Sequence, residues 1–276
     1  MRGDISAAED ALGGALGREW VEEGRACDLL LDSDVGARTA LEGLIARVDV
    51  VVQPAAGRRK RLLAADMDST MIAVECIDEL ADFAGVRAKV AAVTDQAMRG
   101  ELDFEAAIDA RVALLRGLEE SAIDRCREER VTLTPGARTL VRTMRAHGAL
   151  TLLVSGGFTR FAEPVAAAIG FDSVAANHLD IAEGRVAGTV RRPVVGAQGK
   201  RRAMLEAGER NGIAMSEALA VGDGANDIPM LGEAGLGVAY RAKPGVAAAA
   251  DARIDNGDLS ALLYAQGYPR REWVED

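Results

Sequence analysis

Four short apolar runs, each cut off by polar or glycine-rich residues, constrain the fold of this chain most. Leu62–Ala65 stops at Asp66, and Ala149–Val154 stops at Ser155-Gly156-Gly157. Leu219–Val221 stops at Gly222-Asp223-Gly224, and Leu236–Tyr240 is followed closely by Lys243-Pro244-Gly245. Apolar runs that do not alternate with polar residues belong to strands covered on both faces, as in a parallel sheet flanked by helices. Helical spacing between the runs, at about 158–169, 198–211, 226–234 and 258–265, supplies those flanking layers.

The expected fold class is therefore α/β, with a Rossmann-like parallel sheet at its core. One interruption is too long for a strand–helix–strand crossover. Residues 76–134 keep helical periodicity throughout, with Ile77, Leu80 and Ala84 on one face and Phe104, Ile108 and Leu115 on another. They read as a helical cap inserted after the first strand, and Pro135-Gly136 begins the return. A hairpin is expected over 177–190, turning at Glu183-Gly184. Residues 1–58 read as a small N-terminal α+β unit, with helices over 9–20 and 34–48 and strands over 26–31 and 49–53. The core with its cap then occupies 59–276. The segment 54–61, Pro-Ala-Ala-Gly-Arg-Arg-Lys-Arg, reads as a solvated linker.

Composition narrows the chemistry. Hydrophobic residues make up 49% of the chain, enough for a substantial core. The formal charge of −10 argues against nucleic-acid binding, which needs a basic footprint. It also means that a site for an anionic substrate must supply its own local cations. Cys27, Cys76 and Cys126 are widely spaced and read as free thiols in a reducing compartment. No apolar leader follows Met1, and no run reaches the ~18 residues of a membrane helix, so a cytoplasmic protein is expected.

In open parallel sheets ligands bind beyond the carboxyl ends of the strands. The residues that end the runs would therefore converge. Asp66 and Asp68 are paired carboxylates leaving a strand, suited to a hard cation and to nucleophile and acid–base roles. Ser155 and Gly156 offer a hydroxyl and a backbone N–H at a helix start, donors suited to phosphate. Lys200 lies on the helix between the second and third runs. In Gly222-Asp223-Gly224-Ala225-Asn226-Asp227 the glycines let the backbone approach a metal or phosphate closely, and Asp223 could complete a metal shell with Asp66 and Asp68. Asn226 and Asp227 also suit a helix cap.

DMDST, SGG, a downstream lysine and GDGAND, in that order, resemble the motifs of the haloacid dehalogenase-like hydrolases across about residues 61–260. Their longer wording, DMDSTMIAVECIDELA, LLVSGGFT and AVGDGANDIPML, is similar to that of the phosphoserine phosphatases within them. The resemblance implies Mg²⁺-dependent hydrolysis of L-phosphoserine to L-serine and phosphate through an aspartyl-phosphate. The alternative is the same chemistry on another small phosphomonoester. It makes Asp66 the nucleophile and Asp68 the acid and base, with Ser155, Gly156 and Lys200 on the phosphoryl oxygens. Mg²⁺ would be held by Asp66, the Asp68 backbone carbonyl and Asp223, supported by Asn226 and Asp227. Glu75 would receive the substrate's ammonium and Arg111 its carboxylate. Arg111 carries a hint of its own: it lies on the otherwise apolar stripe Phe104–Ile108–Arg111–Leu115. The resemblance also suggests an ACT-like remnant for the N-terminal unit; a homodimer is a separate expectation. Neither histidine, His147 or His178, lies in a motif, so histidine catalysis is not expected.

Overall fold

The computed structural model describes residues 2–275. It begins with helix α1 (Arg2–Ala11), an antiparallel hairpin of β1 (Gly17–Glu22) and β2 (Ala26–Leu30), and a short α2 (Ala37–Leu41). Strand β3 (Leu62–Ala65) enters the core and leads into four helices, α3 (Cys76–Phe83), α4 (Arg87–Met98), α5 (Phe104–Ala113) and α6 (Glu120–Arg130). The chain returns through α7 (Ala137–Ala146), β4 (Leu150–Phe158), α8 (Thr159–Ile169) and β5 (Ser173–Asn177). A hairpin of β6 (Leu179–Ala182) and β7 (Arg185–Val190) precedes α9 (Ala197–Asn211) and β8 (Ala218–Gly222). The last elements are α10 (Ile228–Leu231), β9 (Leu236–Tyr240), α11 (Pro244–Ala249), β10 (Ala252–Ile254) and α12 (Ala261–Ala265).

All four apolar runs are strands of one six-stranded parallel sheet, ordered β10-β9-β8-β3-β4-β5. The absence of alternation has a direct cause. Leu63, Ala65, Leu153 and Val221 face one apolar layer with α7, α8 and α12, while Leu62, Ala64, Val154 and Ala220 face another with α9. Every side chain of β3 is fully buried. Burying each of its leucines contributes about 2 kcal/mol. The edge strands β5 and β10 escape the apolar-run signal because β5 is largely half-exposed and β10 is three residues long. The expected hairpin is β6–β7, and its turn places Glu183 and Gly184 at φ 51° and 71°.

Register brings the reactive residues together. Ala65 pairs with Leu153 on one side and Val221 on the other, so Asp66, Ser155 and Asp223 emerge at one level. The Asp66 N–H completes the ladder by donating to Val221 O at 2.9 Å. The four helices α3–α6 hang from two connections that run side by side. Ile72 and Leu133 form an antiparallel bridge, and Thr134 N–H donates to Met71 O at 3.0 Å.

The N-terminal region departs from its sequence reading. Gly13 and Gly14, at φ 72° and 116°, end α1 early, and Trp20 lies in β1 rather than on a helix. Residues 49–53 form no strand. The basic segment 58–61 is tied down rather than solvated. Arg58 pairs with Asp28, Arg59 with Glu272, and the Lys60 Nζ donates to Ser216 O at 3.0 Å. The Asp49 carboxylate accepts from the backbone N–H groups of Asp255, Asn256 and Gly257, the last at 2.7 Å. Removing a charged acceptor of this kind costs about 1–3 kcal/mol. Asp49→Ala should therefore loosen this attachment and speed tryptic cleavage within 58–61. Unchanged cleavage kinetics would show that Asp49 is not the tether.

Candidate active site

Beyond the carboxyl end of β3 the chain makes a tight turn in which Ser69 adopts a left-handed φ of 55°. The turn sends Asp66 and Asp68 to different partners. Asp66 is 4% exposed and accepts from Lys200 Nζ at 2.5 Å. The same ammonium donates to Asp227 Oδ1 at 2.7 Å, and both Lys200 and Asp227 are fully buried. The remaining Asp227 oxygen accepts from Gly224 N–H at 3.0 Å. Asp223 accepts from the buried Thr70 hydroxyl at 2.9 Å.

Charge balance decides what this cluster needs. Asp66, Asp223 and Asp227 each offer an oxygen within 4.8 Å of the others, against one ammonium. Burial, then the Asp227 charge, pushes the Asp66 carboxyl well above its ordinary range, with Lys200 opposing. Burial pulls the Lys200 ammonium toward neutrality, but Asp66 and Asp227 outweigh it and raise it overall. The surplus negative charge calls for a cation, and three carboxylate oxygens form a donor set for a hard divalent ion.

Asp68 stands outside that cluster. Its Oδ1 accepts from Cys76 N–H, at the first turn of α3, at 2.9 Å, and its Oδ2 accepts from Ser155 Oγ at 3.2 Å. It thus joins the core, the α3–α6 insertion and the SGG turn. Burial raises its carboxyl, with the Cys76 N–H opposing, which favours a proton-carrying role. Ser155 Oγ in turn accepts from Gly157 N–H at 2.8 Å. A Cβ at Gly157 would stand 2.8 Å from Asp68 Oδ2, and one at Gly222 would stand 2.5 Å from Asp227 Oδ2. Neither position can carry a side chain without moving a carboxylate.

Glu75 and Arg111 flank the same turn from the α3–α6 side. Glu75 accepts from Ser69 Oγ at 2.7 Å. Although the Glu75 side chain reaches solvent, the protein packed around it, then the Asp68 charge, push its carboxyl up to about 7. The half-buried Arg111 donates from Nε to Ala107 O at 3.2 Å, and no carboxylate among the described residues forms an ion pair with it. Burial lowers the Arg111 guanidinium, and the charges of Asp78, Glu75 and Asp68 oppose that. Arg111 is therefore a guanidinium held near carboxylates without a dedicated partner.

The sequence reading singled out Asp66, Asp68, Glu75, Arg111, Ser155, Gly156, Lys200, Asp223 and Asn226. Asp66, Asp223 and Lys200 stand in or against the buried ionic cluster, and Asp68 bonds Ser155 beside it. Gly156 follows Ser155 in the same turn. Asn226 lies in the Gly222–Asp227 loop, packed against Gly224 so closely that a Cβ there would overlap its side-chain oxygen. Among carboxylates, Asp227 rather than Asp68 completes the group that could hold a metal ion. The sequence reading gave Asp227 a supporting place in the metal shell or a helix cap, and neither reading carried its full burial. Thr70 was passed over as well, although it follows Asp68 in DMDST. The sequence reading placed Phe104 on the cap stripe that carries Arg111. Its ring stands over Gly156 and Gly196, where added Cβ atoms would lie 3.5 and 2.7 Å from it.

Comparison with known proteins agrees with this geometry. A family model described as haloacid dehalogenase-like hydrolase matches residues 63–232. The chain is 45% identical over 227 residues to phosphoserine phosphatase SerB2 of Mycobacterium tuberculosis, which covers 82% of this chain and 55% of that protein. The chain thus spans little more than half the length of that relative. A solved structure described as a phospho-aspartyl intermediate analogue of phosphoserine phosphatase superposes with a TM-score of 0.69 at 36% identity, covering 74% of this chain and 98% of that one. The unliganded probable phosphoserine phosphatase of Vibrio cholerae superposes with a TM-score of 0.76 at 31% identity, covering 98% and 84%.

The Glu75 environment makes a measurable prediction for metal-free protein. A carboxyl raised from 4.5 to about 7 on folding favours the folded state fully below pH 4.5, and that contribution is lost as pH rises through about 7. Glu75→Gln removes this term. Between pH 5 and 8 the melting temperature of the wild type should therefore fall more than that of the variant. Parallel profiles would show that Glu75 titrates in its ordinary range.

Proposed function

Because the chain belongs to the haloacid dehalogenase-like hydrolases, we propose that it is a Mg²⁺-dependent phosphatase hydrolysing L-phosphoserine to L-serine and phosphate. The observation that carries the reading is the buried Asp66–Lys200–Asp227 group with Asp68 beside it on Ser155. It combines a nucleophile, an acid–base carboxylate and phosphate donors within one turn of three neighbouring strands.

The chemistry follows from these atoms. An Asp66 carboxylate oxygen attacks phosphorus, the ester P–O bond breaks, and Asp68 transfers its proton to the departing serine oxygen. Water then attacks the aspartyl-phosphate, Asp68 takes its proton, and the Asp66 O–P bond breaks to release phosphate. Lys200, Ser155 and the Gly156 N–H hold the phosphoryl oxygens as charge shifts among them. Asp66, Asp223 and the Asp68 backbone carbonyl would hold Mg²⁺, with Asp227 fixing Lys200 and the Gly224 turn. When bound, the ion neutralises charge on the phosphoryl group. The oxygen-only donors, and the surplus negative charge of the Asp66–Asp223–Asp227 cluster around them, support Mg²⁺ over softer metals.

Substrate choice rests on Glu75 and Arg111. An ammonium beside Glu75 restores its ionised form, and Arg111, which forms no ion pair with a described carboxylate, offers a bidentate fork to a substrate carboxylate. Lys200 and Arg111 supply the local cations with which this acidic protein would meet an anionic substrate. The N-terminal unit, with two helices and one hairpin, supports the reading of an ACT-like remnant over 1–58. We also propose a homodimer, whose interface would cover the exposed Leu16, Leu30, Val35 and Leu44 of this unit. No helix among the described residues is long and apolar enough to cross a membrane, and we assign the protein to the cytoplasm.

Phosphate release from L-phosphoserine, D-phosphoserine, L-phosphothreonine, phosphoethanolamine and a sugar phosphate tests the reading. L-phosphoserine should be preferred, with activity abolished by EDTA and in Asp66→Asn. A preference for another ester would keep the mechanism and sink the substrate. Activity that survives Asp66→Asn would sink the mechanism. Arg111→Ala should raise KM for L-phosphoserine about 10- to 100-fold, the loss expected of a charged hydrogen bond. It should leave phosphoethanolamine, which has no carboxylate, nearly unchanged. An equal effect on both esters would exclude Arg111 as the carboxylate's partner.

A further inference from the structure

The β4–β5 ladder breaks where the SGG turn begins. Pairing runs from Leu152 to Val154, skips Ser155, Gly156 and Gly157, and resumes between Phe158 and Asn177. The bulge takes this backbone out of the ladder and makes it available to a ligand, but such a segment needs other partners to hold its shape. Asn177 supplies them. It is 2% exposed at the end of β5, and its side chain bonds three backbone groups on two separate segments. Its Nδ2 donates to Gly156 O at 2.9 Å and to Val195 O at 3.3 Å. Its Oδ1 accepts from Val195 N–H at 2.7 Å.

Each bond constrains a part of the phosphate site. The Gly156–Gly157 peptide is gripped at both ends, its carbonyl by Asn177 and its N–H by Ser155 Oγ. Val195 lies immediately before Gly196, the residue at the N-terminal end of α9, and Lys200 follows one turn later with its N–H on Gly196 O at 2.8 Å. Asn177 therefore fixes the spacing between the turn bearing Ser155 and Gly156 and the helix bearing Lys200. The same junction carries the Phe104 ring of α5, which packs on Gly156 and Gly196.

We infer that Asn177 is a positioning residue for phosphate binding, clamping the Ser155–Gly157 turn and the start of the Lys200 helix at one separation while touching no substrate atom itself. This rests on the roles proposed above for Ser155, Gly156 and Lys200. Replacement by Asp keeps the acceptor for Val195 N–H but removes both donors and sets a carboxylate against two carbonyls. Replacement by Ala removes all three bonds, and replacement by Ser retains a short donor and acceptor in a smaller side chain.

Four quantities should be measured with Mg²⁺ present: KM and kcat for L-phosphoserine, the dissociation constant of inorganic phosphate by calorimetry, and the melting temperature. Asn177→Asp and Asn177→Ala should raise KM and the phosphate dissociation constant about tenfold, as expected for buried backbone acceptors left unpaired. Asn177→Ser should fall between them and the wild type and remains informative if the others fail to fold. A merely structural role would lower the melting temperature and the active fraction but leave KM and phosphate affinity of the folded protein unchanged, and that result overturns the inference. If the wild type hydrolyses no ester but binds phosphate, the proposed activity falls while phosphate affinity of the variants still decides the role of Asn177. Wild-type protein that does neither would overturn both.

Discussion

A lysine ammonium with no exposed surface holds the candidate site in place. An isolated buried charge is strongly unfavourable, so Lys200 is tolerable only with Asp66 and Asp227 at hydrogen-bonding distance. The three groups come from three places: Asp66 from the end of β3, Asp227 from the loop after β8, and Lys200 from α9. Each of these segments must keep its position to within a fraction of an ångström, or a charge is left uncompensated. The parallel sheet does this work, since β3 pairs with β8 and β4 in continuous register up to the residues concerned.

The same arrangement is unbalanced by design of its charges. Three clustered carboxylates face one ammonium, and burial intensifies their mutual repulsion. Such a group is a poor structural ion pair but a good receptor for a divalent cation and an anion together. Glycines keep it compact. At Gly157 and Gly222 a carboxylate occupies the space that a Cβ would need, so the chain approaches its own acidic groups more closely than any other residue would allow.

The α3–α6 insertion shares the apolar cluster of the core and is also joined to it by specific contacts near the site. Asp68 receives the first N–H of α3, Phe104 rests on two glycines of the core, and the Ile72–Leu133 bridge joins the two connections. Each contact falls beside a proposed catalytic or phosphate-binding residue. A movement of the insertion would therefore be felt at Asp68 and at the SGG turn, and such a covering can exclude water from the reacting atoms. The hairpin β6–β7 supports the insertion from below, with Gly117 N–H on Val186 O at 2.8 Å.

Much of the core was legible in the sequence because its signals are local. An apolar run without alternation reports burial on both faces, and a polar residue after it marks the strand's carboxyl end. Asp66, Ser155 and Asp223 could thus be picked out from the sequence, and Lys200 by its place between the Ser155 and Asp223 strands. The N-terminal region was less legible: its short elements carry weak periodicity, and the basic residues at 58–61 look solvated unless their partners, far along the chain, are seen. Thr70 and Asn177 were hidden, and Asp227 was read as support for the metal shell without its bond to Lys200. An aspartate at a helix start suits a cap, a threonine after DxDS suits a turn, and an asparagine at a strand end suits a hairpin. Only the tertiary structure decides that Asp227 shares the buried lysine, that Thr70 holds Asp223, and that Asn177 bridges two segments of the phosphate site. The sequence by itself determined which residue types end which strands, because that depends on neighbours in the chain. Which polar groups meet in the buried space beyond those ends was decided by strand register and helix placement, because hydrogen bonds between distant residues leave no periodic trace along the chain.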